Sequence, residues 1–299
     1  MKSGALRRIS QIGRFGLGAL LLASCAGERP SGRGPARASC PALPGAQALL
    51  ARRGQRFIIF GEMHGTAEAP ALFGDFVCLA AARGPVVVGL EMEQDQQESL
   101  DTYLASDGAA PARAALLANR HWMRGRDGRA SVAMLALVER VRQLRSAGRD
   151  IRLLAFLRRV ADRSSQTPHE RAMAAAWRES LEGRRGARLV ALVGNVHARR
   201  EPAYGFEPAA MHMPAGETLT IGFAPLGGTA WNCQRNGCGP HRMAPETPII
   251  ARGIAAPPGT VPATPGYDRW ISAGAPFTAS PPVAGAGDPV PARSGTKGH

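Results

Sequence analysis

Short apolar runs alternate with helical patterns along most of the chain. Nearly continuous apolar runs, typical of strands buried on both faces, occupy 57–60, 86–90, 151–156, 189–193 and 218–223. Apolar side chains at helical spacing predict helices over 67–82, 94–106, 111–119, 129–147 and 168–181. The alternation predicts an α/β fold with a mostly parallel central sheet, flanked by helices, and a cleft at the carboxyl ends of the strands. After residue 244 proline and glycine dominate, and we expect order there only around 267–271.

The N-terminus has the pattern of an export signal. Residues 1–24 carry four basic side chains and no acidic one, and their apolar stretch, 15–23, is too short to span a bilayer. The end of this segment, Leu22-Ala23-Ser24-Cys25, resembles a bacterial lipobox, in which the cysteine is lipidated and becomes the first mature residue. Ala26 in place of aspartate resembles the sorting signal for the outer membrane. The alternative is an ordinary signal peptide cleaved nearby.

These patterns give the expected domain organisation and location. A lipoprotein signal peptide at 1–24 precedes a flexible Gly/Pro/Ser/Arg-rich tether at 25–39, a single α/β domain at 40–282 and a disordered tail at 283–299. We expect a protein of the bacterial cell envelope that faces the periplasm and contacts the membrane only through its lipid anchor.

The cysteine count agrees with export. Lipidation of Cys25 leaves four cysteines, and an even number in an oxidising compartment indicates two disulfides. Cys233 and Cys238 lie in a Gly/Asn-rich loop that can close on itself, which leaves Cys40 to pair with Cys78. A zinc knuckle is the alternative for the close pair, although no second tightly spaced Cys/His pair lies nearby.

The positive charge does not point to nucleic acid. The chain has 37 Lys and Arg residues against 23 Asp and Glu residues, a formal net charge of +14. Lysine occurs only at positions 2 and 297, and Arg, Ala, Gly and Pro are enriched together, as in a compositionally biased genome. There is no RNP motif, zinc-finger spacing or basic run interleaved with aromatics. We therefore expect a small-molecule or peptide substrate and no nucleic-acid partner.

Polar side chains two residues apart follow three of the predicted strands. Side chains at i and i+2 of a strand face the same way, and the carboxyl ends of parallel strands share one edge of the sheet. Two imidazoles and up to three carboxylates would meet there, the composition of a general acid/base site or of a metal site. The pairs are Glu62 with His64, Glu91 with Glu93, and Asn195 with His197.

Each of these residues also has an ordinary structural role open to it. A glutamate after a strand is commonly a solvated loop residue or a helix cap, and Glu93 in particular could point to solvent.

For the metal alternative the candidate ligands are His64, His197 and Glu91.

The same residues carry a resemblance to a known superfamily. Gly61-Glu62-Met63-His64-Gly65-Thr66, then Leu90-Glu91, then Gly194-Asn195-Val196-His197-Ala198 resemble the superfamily of erythromycin esterases, ChaN-type haem-binding lipoproteins and Tiki/TraB proteins. The segments 169–174 and 278–282 resemble its Arg-Asp-x-x-Met-Ala helix and the closing segment of ChaN-like members, with Glu170 and Arg171 departing from the usual order. The resemblance implies an α/β sheet whose functional residues are Glu62, His64, Glu91 and His197.

The resemblance leaves several activities open. Esterase-like members are similar to metal-free hydrolases in which the histidine after strand one activates water, whereas Tiki-like members use a divalent metal. ChaN-like members bind haem, which would need an exposed Tyr or His, and the tyrosines here are Tyr103, Tyr204 and Tyr267.

We expect a lipid-anchored hydrolase. In this interpretation His64 is the general base, Glu62 or Glu91 orients it or acts as the acid, and His197 and Arg171 stabilise negative charge. The alternative is a lipoprotein that binds haem or an iron complex, and a third interpretation is a purely structural envelope lipoprotein.

Overall fold

The computed structural model describes residues 39–248, 250–255 and 266–283. These residues belong to one compact unit with nine strands and seven α-helices. The strands are β1 Phe57–Glu62, β2 Val86–Glu93, β3 Ile151–Leu157, β4 Arg188–Gly194, β5 Thr218–Phe223, β6 Leu226–Gln234, β7 Gly237–Pro245, β8 Gly253–Ala255 and β9 Arg269–Ser272. The helices are α1 Ala46–Leu50, α2 Glu68–Ala81, α3 Gln97–Ala105, α4 Ala110–Leu117, α5 Arg120–Arg124, α6 Val132–Ser146 and α7 Thr167–Glu179.

The central sheet is mostly parallel, as predicted. Its strand order is β3-β2-β4-β1-β5-β9-β8, and only β8 runs antiparallel to its neighbour. β4 lies between β2 and β1, with Leu192 opposite Leu90 and Gly194 opposite Glu62. Since this register aligns the ends of the three strands, the residues that follow them meet at one edge of the sheet.

Helices cover both faces of the sheet. Alternate residues of β1 separate into two apolar clusters: Ile58 and Phe60 pack with α2 and α6, and Phe57 and Ile59 pack with α7. Phe60 makes edge contacts with Phe73 and Phe76 of α2, whose ring centroids lie 5.3 and 5.0 Å away. Burial on both faces explains why these strands read as continuous apolar runs.

Helix boundaries follow local capping chemistry. The pattern predicted a helix from residue 129, but α6 begins at Val132 because the Ser131 hydroxyl caps it, accepting from the amide of Met134 at 3.3 Å. The five-residue helix α5, Arg120–Arg124, was not predicted, since it is too short to show a period.

The C-terminal third is more ordered than predicted. β6 and β7 form an antiparallel hairpin where the sequence indicated only a Gly/Asn-rich loop around Cys233 and Cys238, and β8 joins β9 in the sheet, although beyond residue 244 the pattern indicated order only around 267–271. Residues 277–283 then tie the hairpin, the loop after β1 and the start of α6 together: Thr229 donates to Phe277 at 2.8 Å, Ala67 to Thr278 at 2.8 Å and Val132 to Pro281 at 2.9 Å. These contacts are long-range, so local composition does not reveal them.

Two disulfides are present with the expected pairing. Cys40 is bonded to Cys78 of α2, and Cys233 is bonded to Cys238 directly across the β6–β7 hairpin. Among the described helices, none is long and apolar enough to cross a membrane. The expected signal peptide at 1–24, the lipidated Cys25, the tether as far as residue 38 and the tail beyond residue 283 lie outside the described residues.

Candidate active site

The end of β1 holds His64 against a buried carboxylate. Glu62 is only 3% exposed, and its Oε1 lies 3.0 Å from Nδ1 of His64. The loop that follows is held by hydrogen bonds from distant segments, because the Gly65 carbonyl accepts from the backbone amides of Trp231 at 2.9 Å and Ser280 at 2.7 Å. Gly65 has φ +80° and a Cβ there would lie 2.0 Å from the Trp231 oxygen, so only glycine fits.

Glu91 at the end of β2 reaches the other nitrogen of the same imidazole. Its Oε2 lies 3.3 Å from Nε2 of His64 and accepts from the backbone amide of Gly194 at 2.8 Å. Its Oε1 accepts from Nη1 of Arg129 at 3.2 Å. His64 is therefore held between two carboxylates.

Gly194 lies at the centre of the cluster, where His64, His197 and Glu91 approach one another. It ends β4, the strand between β2 and β1, so Glu91 can reach His64 only across its backbone. A Cβ at this position would lie 3.0 Å from Nε2 of His64, 3.3 Å from Cδ2 of His197 and 3.5 Å from Oε2 of Glu91. Three of the expected side chains thus surround one point, and glycine is what lets them approach.

His197 is held by a carboxylate of its own. Glu170 of α7 is fully buried, and both its oxygens lie 2.8 Å from Nδ1 of His197. The amide of Ala209 donates to Glu170 at 2.9 Å and the side chain of Gln166 at 3.2 Å. Among the described residues, Nε2 of His197 has no hydrogen-bond partner, and this side chain remains 19% exposed.

The two imidazoles differ in their electrostatic surroundings. Burial alone would lower the pKa of His64, but the charge of Glu91 and the hydrogen bonds to Glu62 and Glu91 outweigh it and raise the pKa to about 10. Burial would likewise lower the pKa of His197; its bond to Glu170 and the charge of Glu91 raise that pKa, and the neighbouring His64 cation opposes the rise. His64 is thus an imidazolium at neutral pH.

The carboxylates of Glu62 and Glu91 also differ in the direction of their pKa shifts. Burial raises the pKa of Glu62, and the bond to His64 only partly offsets this. Burial would raise the pKa of Glu91 too, but His64, His197 and Arg129 hold that pKa far below its ordinary range. Glu91 is therefore a fixed negative charge, whereas the burial of Glu62 favours its protonated form.

Three residues grouped with the site by sequence lie elsewhere. Glu93 faces His121, with Oε2 3.6 Å from Nδ1, because β2 shifts register against β3 between Leu90 and Glu93 and breaks the period of two. Asn195 does not pair with His197, because a turn follows β4; its carbonyl accepts from the Tyr267 hydroxyl.

Arg171 is the third correction. Its side chain is 64% exposed and pairs with Glu207 at 3.2 Å, so it does not reach the cluster. One helical position separates it from Glu170, and that turns it about 100° away from the buried face that Glu170 shares with Met173 and Trp177.

Sequence reasoning missed two contacts to the cluster. A carboxylate on the apolar face of α7 was the signal available for Glu170. Arg129, which donates to Glu91 and also to Asp127 at 2.6 Å, comes from an irregular loop and has no such signal.

A metal does not fit this arrangement of side chains. Within the described ranges, no three His, Cys, Asp or Glu side chains are placed to hold an ion. Both ring nitrogens of His64 already face carboxylates, so of the two histidines expected as ligands only His197 keeps a ring nitrogen free.

Two clefts lie beside the cluster. One, of about 410 Å³, is largely apolar, and Met63, Phe223, Met243, Trp270 and Phe277 are among its lining residues. The other, of about 490 Å³, is rich in arginine and reaches from Glu93 to Arg129.

Solved structures share this architecture. A mutant of erythromycin esterase EreC in its open conformation superposes with a TM-score of 0.59 at 12% identity, covering 81% of this chain and 94% of that one. The chain has the fold of this esterase. A protein of Bacillus cereus gives a TM-score of 0.58 at 12% identity, covering 83% of this chain and 96% of the other.

A haem complex of ChaN from Campylobacter jejuni gives a TM-score of 0.39 at 11% identity, covering 60% of this chain and 84% of that one. No protein-family model matches the chain, and no curated protein matches it in sequence. The likeness to the esterase and to the Bacillus cereus protein is a likeness of fold.

Proposed function

We propose that the protein is a metal-free hydrolase that cleaves an ester or a related acyl bond. The observation that carries this proposal is the meeting of two unlike imidazoles across Gly194. His197 is tied to one buried carboxylate with its Nε2 unpaired, and His64 is a cation clamped between Glu62 and Glu91.

His197 is suited to be the base. The bond from Nδ1–H to Glu170 fixes the tautomer that leaves the lone pair on Nε2, and the carboxylate stabilises the imidazolium formed when a proton is taken. His64 is suited to stabilise negative charge through its positive charge, which is held at neutral pH and lies beside His197 across Gly194, while its two ring nitrogens stay bound by Glu62 and Glu91.

The reaction then balances without a cofactor. Nε2 of His197 takes a proton from water as the water oxygen bonds to the acyl carbon, and His64 stabilises the oxyanion that forms. The bond to the leaving oxygen breaks, and His197 returns its proton to that oxygen. The products are an acid and an alcohol, and both imidazoles end in their starting states.

These roles reverse those expected from the sequence, which made His64 the base. With Glu91 3.3 Å from its Nε2, a neutral His64 would place a lone pair against a carboxylate. The contacts therefore favour a proton on that nitrogen.

The test is hydrolysis of p-nitrophenyl esters by the purified protein in the presence of EDTA. We expect His197→Ala and His64→Ala each to lower kcat/KM about 10²-fold or more, and His169→Ala, on the same helix as Glu170 but outside the cluster, to leave it unchanged. Loss of activity with EDTA, or full activity in both variants, would contradict the proposal.

Haem binding is a second candidate, favoured by one residue. Tyr204 on the rim of the apolar cleft is 85% exposed and has φ 52°, an uncommon conformation for a residue other than glycine. In this alternative the apolar cleft would hold the porphyrin and Tyr204 would supply a ligand. A Soret band on added haem that shifts in Tyr204→Phe would support it, and an unshifted spectrum would exclude Tyr204 as ligand.

We further propose that the hydrolase is tethered to the bacterial outer membrane through lipidated Cys25 and faces the periplasm. The lipobox-like sequence before Cys25 and the two disulfides of the domain support export. Cys25→Ser should move the protein out of the detergent phase in a partition assay; unchanged partitioning would refute the anchor.

A further inference from the structure

A cleft beside the catalytic cluster carries an excess of positive charge. We call it the arginine cleft, and five guanidinium groups line it: Arg120, Arg124, Arg126, Arg129 and Arg159. Three carboxylates, from Glu93, Asp95 and Asp127, are the acidic groups of the same lining. The helix α5, the loop that follows it and the end of β2 form most of the wall.

The acidic groups are largely committed to other partners. Asp127 accepts from Nη2 and Nε of Arg129 at 2.6 and 2.9 Å, and Glu93 faces His121. Asp95 accepts from its neighbour Gln96 at 2.6 Å.

The other four arginines of the cleft have no carboxylate partner among the described residues. Within the described part of the chain, no carboxylate oxygen lies within 4.0 Å of Arg120, Arg124, Arg126 or Arg159, and their side chains make no hydrogen bond. Like charges gathered around one concave surface repel one another, and an anion placed among them relieves that repulsion. Planar guanidinium groups also match the paired oxygens of a carboxylate or a phosphate.

The cleft is joined to the catalytic cluster through one side chain. Arg129 bonds Asp127 in the cleft wall and Glu91 in the cluster, and Glu91 contacts His64. An anionic group bound beside Arg129 in the cleft would therefore be separated from Glu91 of the cluster by one arginine side chain.

We propose that the arginine cleft binds an anionic group of the substrate, a carboxylate or a phosphate, and so selects anionic esters over neutral ones. The substrate class rests on the proposed hydrolase function, whereas anion binding by the cleft does not.

The first arm of the test measures binding without turnover. Titration calorimetry with succinate and, separately, with inorganic phosphate should give a Kd that Arg124→Gln/Arg126→Gln raises at least tenfold. Higher salt should weaken binding, since these charges are exposed or half-buried. The control is Arg171→Gln, which removes the same charge from an exposed site paired with Glu207 and should leave Kd unchanged.

Comparison of the two anions indicates which anionic group the substrate carries. Preferential binding of succinate would indicate a carboxylate substrate, and preferential binding of phosphate a phosphorylated one. If neither anion binds, or if Arg171→Gln weakens binding as much as the double variant, the proposal is overturned. The single variant Arg126→Gln repeats the comparison should the double variant fail to fold.

The second arm measures selectivity. The ratio of kcat/KM for mono-p-nitrophenyl succinate to that for p-nitrophenyl acetate should exceed one and should fall at least tenfold in the double variant. An unchanged ratio would overturn the selectivity. Anion binding without hydrolysis of either ester would contradict the proposed function and leave the cleft as an anion site.

Discussion

Replacement of Gly194 by alanine would test whether the cluster is the reacting centre. The added methyl group would lie 3.0 Å from Nε2 of His64, 3.3 Å from His197 and 3.5 Å from Glu91. The first two distances are shorter than an ordinary carbon contact, so the imidazoles must move by a few tenths of an ångström. Overpacking of this kind costs about 1–3 kcal/mol of stability, and misplacement of reacting groups by about 1 Å can cost 10²-fold in rate. We expect Gly194→Ala to fold and to lose about tenfold to 10²-fold in kcat/KM.

Gly89 offers a matched control. It lies in β2, where a Cβ would meet Ala191 at 3.2 Å and Phe156 at 3.3 Å, a similar crowding away from the cluster. Gly89→Ala should therefore lower the melting temperature about as much as Gly194→Ala and leave kcat/KM unchanged. Thermal unfolding and ester hydrolysis measured on both variants decide the matter. Full activity in Gly194→Ala, or equal loss of activity in both, would refute the reasoning.

Two further predictions concern Glu170 and the disulfides. Glu170→Gln should lower kcat about 10²-fold, because an amide cannot stabilise the His197 imidazolium. It should also move the acidic limb of the pH–rate profile to lower pH, since the charge that raises the pKa of His197 is gone. An acidic limb that does not move would contradict this role of Glu170. Removal of the Cys40–Cys78 disulfide, whose cysteines are 38 residues apart, should lower the free energy of unfolding by about 4 kcal/mol. Removal of Cys233–Cys238, whose cysteines are 5 residues apart, should lower it by about 2 kcal/mol. Urea unfolding of the two double-serine variants measures both losses, and equal losses would contradict the dependence on loop length.

The sequence was most informative where burial leaves a pattern in the local sequence. Buried parallel strands show as apolar runs, so the central strands and the edge carrying Glu62, Glu91 and His197 could be predicted. The hairpin and the closing segment could not, because backbone bonds such as Ala67 to Thr278 stabilise them from distant parts of the chain.

The site shows the same limit at the level of single residues. A period of two placed His64 beside Glu62, and that contact forms although β1 ends at Glu62 and His64 lies in the turn that follows. It failed for Glu93, where a register shift interrupts the strand, and for Asn195, which lies in a turn. Arg171 and Glu170 were both in view, but only the inward face of α7 distinguishes the exposed arginine from the buried carboxylate.

The protonation of the two imidazoles is the central claim, and ¹⁵N NMR of histidine-labelled protein measures it directly. His64→Ala and His197→Ala assign the two signals. We predict that His64 keeps both ring protons at pH 8, because its pKa is raised to about 10, and that His197 loses a proton at lower pH and retains the other on Nδ1, beside Glu170. A neutral His64 at pH 8, or a His197 that keeps both ring protons to a higher pH than His64 does, would contradict the assignment of His197 as the base and His64 as the charge-stabilising group.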